Sequence, residues 1–182
     1  MNESALAHKY LDGMKGVEIG GASHNAFGLD TVNVDIELDS LSSKKSIEYG
    51  FKPMPVDFIA NGDDLPFDDK SYDFVISSHV IEHFYDPIAA LKEWERVARL
   101  YVVLIVPHKE RTFDKDRDIT CYKELLIRHE EPEESKDKSI RHHCVWNTES
   151  FLELCKAIDL NVIEYQDVDD RIGNGFGVVI KI

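Results

Sequence analysis

Five short runs rich in Val, Ile and Phe punctuate the first 107 residues: GVEIG (16–20), TVNVDI (31–36), VDFIA (56–60), YDFVIS (72–77) and LYVVLIVP (100–107). Strands that are apolar on both faces need cover on both, and helices crossing between parallel neighbours supply it. Asp86-Pro87 opens one such helix, with an acid to cap it and proline in its first turn. Its apolar positions Ile88, Leu91, Trp94 and Val97 recur at helical spacing, so Trp94 is expected to pack rather than to act as a ligand platform. The polar stretch 108–146, with EEPEESKDKS at 130–139, reads as a mobile surface insertion. Asn147 or Thr148 then caps a helix, ESFLELCKAI, and the runs NVIEYQDV and FGVVIKI form a hairpin around Gly173-Asn174-Gly175. The expected fold is α/β, a doubly wound, mostly parallel sheet with an antiparallel last strand at its edge.

Ligands of such sheets sit beyond the carboxyl ends of the strands, near the switch in strand order. The first strand ends in Glu18-Ile19-Gly20-Gly21-Ala22, small residues that let backbone approach a ligand, although the pattern is not GxGxxG. The second ends at Asp35, whose carboxylate can accept hydrogen bonds from two adjacent ribose hydroxyls, or can equally cap a helix. The third leads into Asn61-Gly62-Asp63-Asp64-Leu65-Pro66-Phe67, a side-chain amide, an approachable backbone N–H and an apolar rim that match an adenine's edge and face. The fourth ends in SSHVIEH.

With these sites in order, the chain resembles the class I S-adenosylmethionine-dependent methyltransferases, in the small-molecule, methyltransferase type 11-like branch. The resemblance rests on LPF-x(4)-YDFV-x(3)-HV-x-EH followed by a DP helix, and covers about residues 16–107. It implies a Rossmann-like methyltransferase fold with a seven-stranded sheet, S-adenosyl-L-methionine as cofactor, and an enzyme that methylates a small molecule. By position, it places Glu18, Gly20, Gly21 and Ala22 around the methionine part of the cofactor and Asp35 on its ribose. It places Asn61, Gly62 and Asp63 at the adenine, and Ser78 and His79 beside the sulfonium. Three departures stand out: Ala22 and His24 replace family glycines, Asn61 replaces an acid, and ARLYVV lacks the Pro-Gly-Gly turn before strand five. With only about 15 residues before the first strand, closure over the acceptor is expected from 108–146.

In-line methyl transfer needs positioning more than a protein nucleophile. A hydroxyl acceptor would profit from a base near its proton, and His83, His79 and His108 lie nearest the expected methyl. His108 to Asp114, with His142, His143 and Trp146, would line a polar, partly cationic and aromatic pocket suited to a sugar or a carboxylated metabolite, or form a solvated loop. Strand four lacks the Asn/Asp-Pro-Pro-Tyr signature for base amines, which favours O-methylation.

Two other classes remain: a non-catalytic cofactor-binding or scaffold domain of this fold, and a zinc hydrolase through His79-x-x-Glu82-His83. The hydrolase needs both histidines on one face of an established helix and a third ligand, neither visible in the sequence, so no metal is expected. A net charge of −14 disfavours nucleic acid, and the longest apolar run, Tyr101 to Pro107, is too short to span a membrane. Cys121, Cys144 and Cys155 form no disulfide framework and read as structural thiols in a cytoplasmic protein, in one domain spanning residues 1–182. The oligomeric state leaves no mark in the sequence.

Overall fold

The computed structural model describes residues 4–21, 27–36, 55–131 and 142–182. Ala22 and His24 lie outside the described residues, as does most of the charged stretch 130–139.

The apolar runs form strands β1 (Lys15–Ile19), β2 (Asp30–Asp35), β3 (Phe58–Ile59), β4 (Tyr72–Ser78) and β5 (Ala98–Pro107), followed by β6 (Val162–Gln166) and β7 (Gly175–Lys181). They make one seven-stranded sheet in the order β3-β2-β1-β4-β5-β7-β6. Pairs from β3 through β5 are parallel, whereas β7 runs antiparallel to both β5 and β6. The reversed strand is thus the last one but not the edge strand expected. Its six residues Gly175 to Ile180 are all buried, which an interior position between two partners requires, while β6 alternates and takes the edge.

Helix α1 (Ala5–Leu11) covers one face of the sheet, where Leu6, Ala7 and Leu11 join Phe27, Phe74 and Ile76. Helices α2 (Pro87–Val97), α3 (Tyr122–Glu130) and α4 (Thr148–Ala157) cover the other, burying Trp94, Leu125 and Phe151. Each large apolar side chain so buried contributes about 1.5–3 kcal/mol of transfer free energy. Asp86 caps α2 by accepting the amides of Ile88 and Ala89, and Asn147 closes a capping box with Ser150 on α4.

The missing Pro-Gly-Gly turn has a structural counterpart. Helix α2 runs straight into β5, and Lys70 Nζ donates to the carbonyls of Glu95 and Ala98, while the Lys70 amide donates to that of Arg96. The carbonyls that a helix end leaves open are thereby satisfied without a glycine turn. The expected surface insertion has an inner side as well. Asp114, Thr120, Leu125, Cys144, Val145 and Trp146 are all buried.

Candidate active site

The sheet order reverses between β1 and β4, so the carboxyl ends of these two strands flank the crevice. After β1 the chain turns at Gly20, where φ is +71° and a Cβ would stand 2.5 Å from Val80 of the turn after β4. Gly21 is equally confined: a Cβ there would meet Asn33 Oδ1 at 2.7 Å and the Glu18 carboxyl at 2.8 Å. Asn33 Oδ1 accepts the Gly21 amide at 3.1 Å, and the Gly20 amide donates to Val34 O at 2.8 Å, so β2 holds the glycine turn open. Asn33 is a positioning residue with no signal in the sequence beyond a polar side chain inside an apolar run.

Glu18 is buried under that turn, and burial pushes its carboxyl up to about 7 against the attraction of Arg171 and the hydrogen bond to Thr31. Glu18 Oε2 has no hydrogen-bond partner among the described residues. Arg171 arrives from the loop before β7, stacked 4.1 Å over Phe27. That loop is wound around Asp169, which accepts the amides of Arg171, Ile172, Gly173 and Gly175.

Asp35 closes β2, half-buried, with Oδ1 accepting the Ile36 amide at 2.7 Å. Beyond β3, Asn61 and Asp63 are exposed and Gly62 is buried, its α-carbon facing Phe84 and Ile19. The whole 61–67 loop hangs on one side of α2. Trp94 Nε1 donates to Gly62 O at 2.7 Å, Glu93 accepts the Leu65 amide, and Arg96 donates to Phe67 O. Trp94 therefore packs, as the helical spacing implies, and also fixes the backbone of the 61–67 loop.

On the opposite wall Ser78 is buried, its hydroxyl without a partner among the described residues. His79 follows at a φ of +57°, its amide still bonded to Ile105 O of β5. Ile81–His83 then makes one turn of 3-10 helix. The H-x-x-E-H pattern therefore lies on no α-helix, which removes the peptidase geometry. Glu82 is fully buried, and burial pushes its carboxyl up to about 8, with Asp114 adding to the effect. Three imidazole nitrogens surround Glu82 Oε1: His142 Nε2 at 3.7 Å, His83 Nε2 at 3.8 Å and His79 Nδ1 at 4.0 Å. The third group that the sequence does not reveal is His142, brought from 59 residues downstream of His83 by the strand-like segment that bridges Trp146 to His108.

His108 stands apart from this group. Its Nδ1 accepts the Glu110 amide and caps the turn Lys109–Arg111, and burial with the neighbouring Arg111 lowers its pKa. Its neutral ring then carries the proton on Nε2.

The profile of the methyltransferase domain family matches residues 16–106, half of the chain. The chain belongs to that family. Solved structures agree in fold. A SAM-dependent methyltransferase from Aquifex aeolicus is 16% identical, with 99% of this chain and 94% of that one covered at a TM-score of 0.54. A second, from Methanosarcina mazei, is 18% identical over 100% and 98% of the two chains, with a TM-score of 0.59. The methyltransferase complexed with the Trm112 activator of Haloferax volcanii is 17% identical over 97% and 87%, with a TM-score of 0.58. No curated protein matches the chain.

As a class I methyltransferase of the type 11-like branch, the chain is an S-adenosylmethionine-dependent enzyme, and its residues fit that cofactor. The crowding that a Cβ would meet at Gly20, Gly21 and Gly62 keeps these strand-end turns free of side chains and packed against β2 and the turn after β4, and buried Glu18 keeps a carboxyl oxygen available beneath the first of them. The methyltransferase has no helix among its described residues long and apolar enough to cross a membrane. Cys144 and Cys155 are buried thiols pushed up to about 12 by burial, and Cys121 is exposed.

Proposed function

We propose that this methyltransferase methylates a hydroxyl of a small polar acceptor, a sugar or a carboxylated metabolite. The observation that carries the reading is the wall facing the donor crevice. His83 and His142 meet edge to face at 4.8 Å, Phe113 lies 4.6 Å from His142, and Arg117 binds the adjacent Asp114. Aromatic faces, imidazoles and a cation together suit a hydroxylated or carboxylated molecule better than an apolar one.

The cofactor supplies an electrophilic methyl group on a sulfonium. Gly20 and Gly21 turn the backbone at the end of β1 with no side chain in the way, and Glu18 offers a carboxyl oxygen close by. Asp35 accepts hydrogen bonds from vicinal hydroxyls, while Asn61 and the Gly62 amide, with Asp63 at the rim, read a planar base edge. Ser78 and His79 border the reacting atoms at the end of β4. An imidazole of the His79 and His83 pair would take the acceptor hydroxyl's proton as the oxygen–carbon bond forms and the carbon–sulfur bond of the donor breaks, leaving a neutral thioether. His83, with a third of its side chain exposed, can pass that proton to water.

The test is a pair of measurements on the purified chain. Calorimetry with S-adenosylhomocysteine is expected to give one site, and mass spectrometry of reactions with hydroxylated and carboxylated acceptors is expected to give a product about 14 mass units heavier, the mass of an added methylene. Binding without turnover on any acceptor would favour a scaffold role instead, and absence of binding would refute the reading.

A further inference from the structure

We propose that Glu82, His83 and His142 form a binding site for a divalent first-row transition metal, with Asp114 as the outer carboxylate that orients His142. One ligand atom from each of the three residues lies within 4.8 Å of the others. Glu82 is completely buried, and neither carboxylate oxygen has a hydrogen-bond partner among the described residues. A buried carboxyl left in that state loses the full solvation of its oxygens, so something else must satisfy it.

The surrounding nitrogens do not do so by hydrogen bonding. At 3.7 and 3.8 Å from Glu82 Oε1, His142 Nε2 and His83 Nε2 are beyond hydrogen-bond range. They are close to the separation of ligands around a small cation. Donor atoms about 2.1 Å from a tetrahedral zinc lie about 3.4 Å apart, a few tenths of an ångström less than the two histidine–Glu82 separations, and side-chain rotation would bring the whole set in from its present 4.8 Å limit.

The second layer decides between a cation and a chance cluster. Asp114 Oδ2 lies 2.6 Å from His142 Nδ1, which fixes the imidazole proton there and turns the Nε2 lone pair toward Glu82. A lone pair facing a carboxyl oxygen is repulsive unless a cation or the carboxyl's own proton stands between them, and 3.7 Å is longer than an O–H···N hydrogen bond. Arg117 clamps both members, donating to Asp114 Oδ1 at 2.6 Å and to His142 O at 2.8 Å. The backbone is tied too, because Glu82 O accepts the amides of His143 at 2.7 Å and Cys144 at 3.1 Å.

Two nitrogens, one carboxylate and a partly exposed His83 leave a coordination position open to solvent, as in sites that bind a substrate oxygen. On the reading of O-methylation given above, that position would take an acceptor hydroxyl and lower its pKa. Coordination occupies His83, leaving His79 to receive the proton.

The experiment uses the full chain stripped with a chelator, then titrated with Zn2+ by calorimetry and with Co2+ by visible absorption. One equivalent with a Kd in the micromolar range or tighter is expected, with a cobalt spectrum of low coordination number. His142→Ala and Glu82→Gln should each weaken binding at least about 100-fold, and Asp114→Asn by about 10- to 100-fold. His129→Ala, at a histidine bound to Asp86, should bind as the unaltered chain does. If Glu82→Gln does not fold, His83→Ala at its partly exposed position serves in its place. Absence of saturable one-to-one binding, or equal affinity in His142→Ala, overturns the proposal. S-adenosylhomocysteine titration of the same samples keeps the two readings separate, since loss of nucleoside binding with intact metal binding would sink only the methyltransferase assignment.

Discussion

Replacing Glu18 by glutamine isolates the electrostatic strain beneath the glycine turn. Burial raises this carboxyl from 4.5 to about 7, outweighing Arg171 and the Thr31 hydrogen bond. At about 1.4 kcal/mol for each pKa unit, ionised Glu18 makes the folded chain about 3 kcal/mol less stable than protonated Glu18 does. The sign follows from proton binding. Between about 4.5 and about 7 the folded chain holds a proton that the unfolded chain has released, so stability falls as pH rises through that window and is flat above it. The glutamine of the Glu18→Gln variant keeps a polar group of the same shape and does not titrate. Urea unfolding of both chains at several pH values from about pH 5 to about pH 8, read by fluorescence of buried Trp94 and Trp146, measures the difference. Subtraction removes every other titrating group, Glu82 included. The variant should gain about 2–3 kcal/mol relative to the unaltered chain across the range. A difference constant to within about 0.5 kcal/mol would refute the reasoning, showing that Arg171 keeps Glu18 ionised throughout.

Three further outcomes follow from the same geometry. Asp35→Ala should weaken S-adenosylhomocysteine binding by about 10- to 100-fold with little change in melting temperature, because charge-assisted hydrogen bonds contribute about 1.5–3 kcal/mol each; calorimetry checks this. Trp94→Phe should destabilise by about 1–3 kcal/mol in urea unfolding by leaving the buried Gly62 carbonyl without its 2.7 Å donor. Gly62→Ala places a Cβ 2.8 Å from Phe84 and should reduce nucleoside affinity about tenfold, with part of the loss recovered in the double variant carrying Phe84→Ala.

The parallel sheet was legible because β1, β4 and β5 are apolar on both faces, rich in β-branched residues and bounded by turn residues, which together separate them from buried helix segments. β3 shrank to Phe58–Ile59 because an edge strand pairs on one side only and Asp57 turns its carboxylate onto the Asn33 amide. The hairpin of β6 and β7 was legible from its turn residues, but periodicity does not show which of the two lies inside. Only the unbroken burial of β7 does. The strand-end positions of Gly20, Gly21, Asp35 and Asn61 were legible because each ends a strand or closely follows one. For Asp114 and His142 only a shared place on the loops after β5 was legible, and Asn33 gave no signal beyond a polar side chain in an apolar run. Their roles come from contacts across 12 to 60 residues of chain, and a lone polar residue in a sequence looks the same whether it orients a turn or faces water.

The two walls of the crevice are built differently, and this bears on how such a protein can change its acceptor. The donor wall is mostly backbone, fixed by the confinement of Gly20, Gly21 and Gly62, so few substitutions there are neutral. It coincides with residues 16–106, the part that the family profile matches. The wall proposed to meet the acceptor is made of side chains on a 3-10 turn and on segments after β5, where identity can vary without disturbing the sheet ladder. The walls are nonetheless joined at one place. Val80 packs against Gly20 while the next turn carries Glu82, whose carbonyl holds the segment bearing His142. A substitution at Val80 should therefore move nucleoside affinity and the Glu82 cluster together, whereas one at exposed Phe113 should move only the acceptor side. Comparing S-adenosylhomocysteine and Zn2+ titrations of Val80→Ala and Phe113→Ala tests that coupling. Equal nucleoside affinities in the two variants would show that the walls act independently.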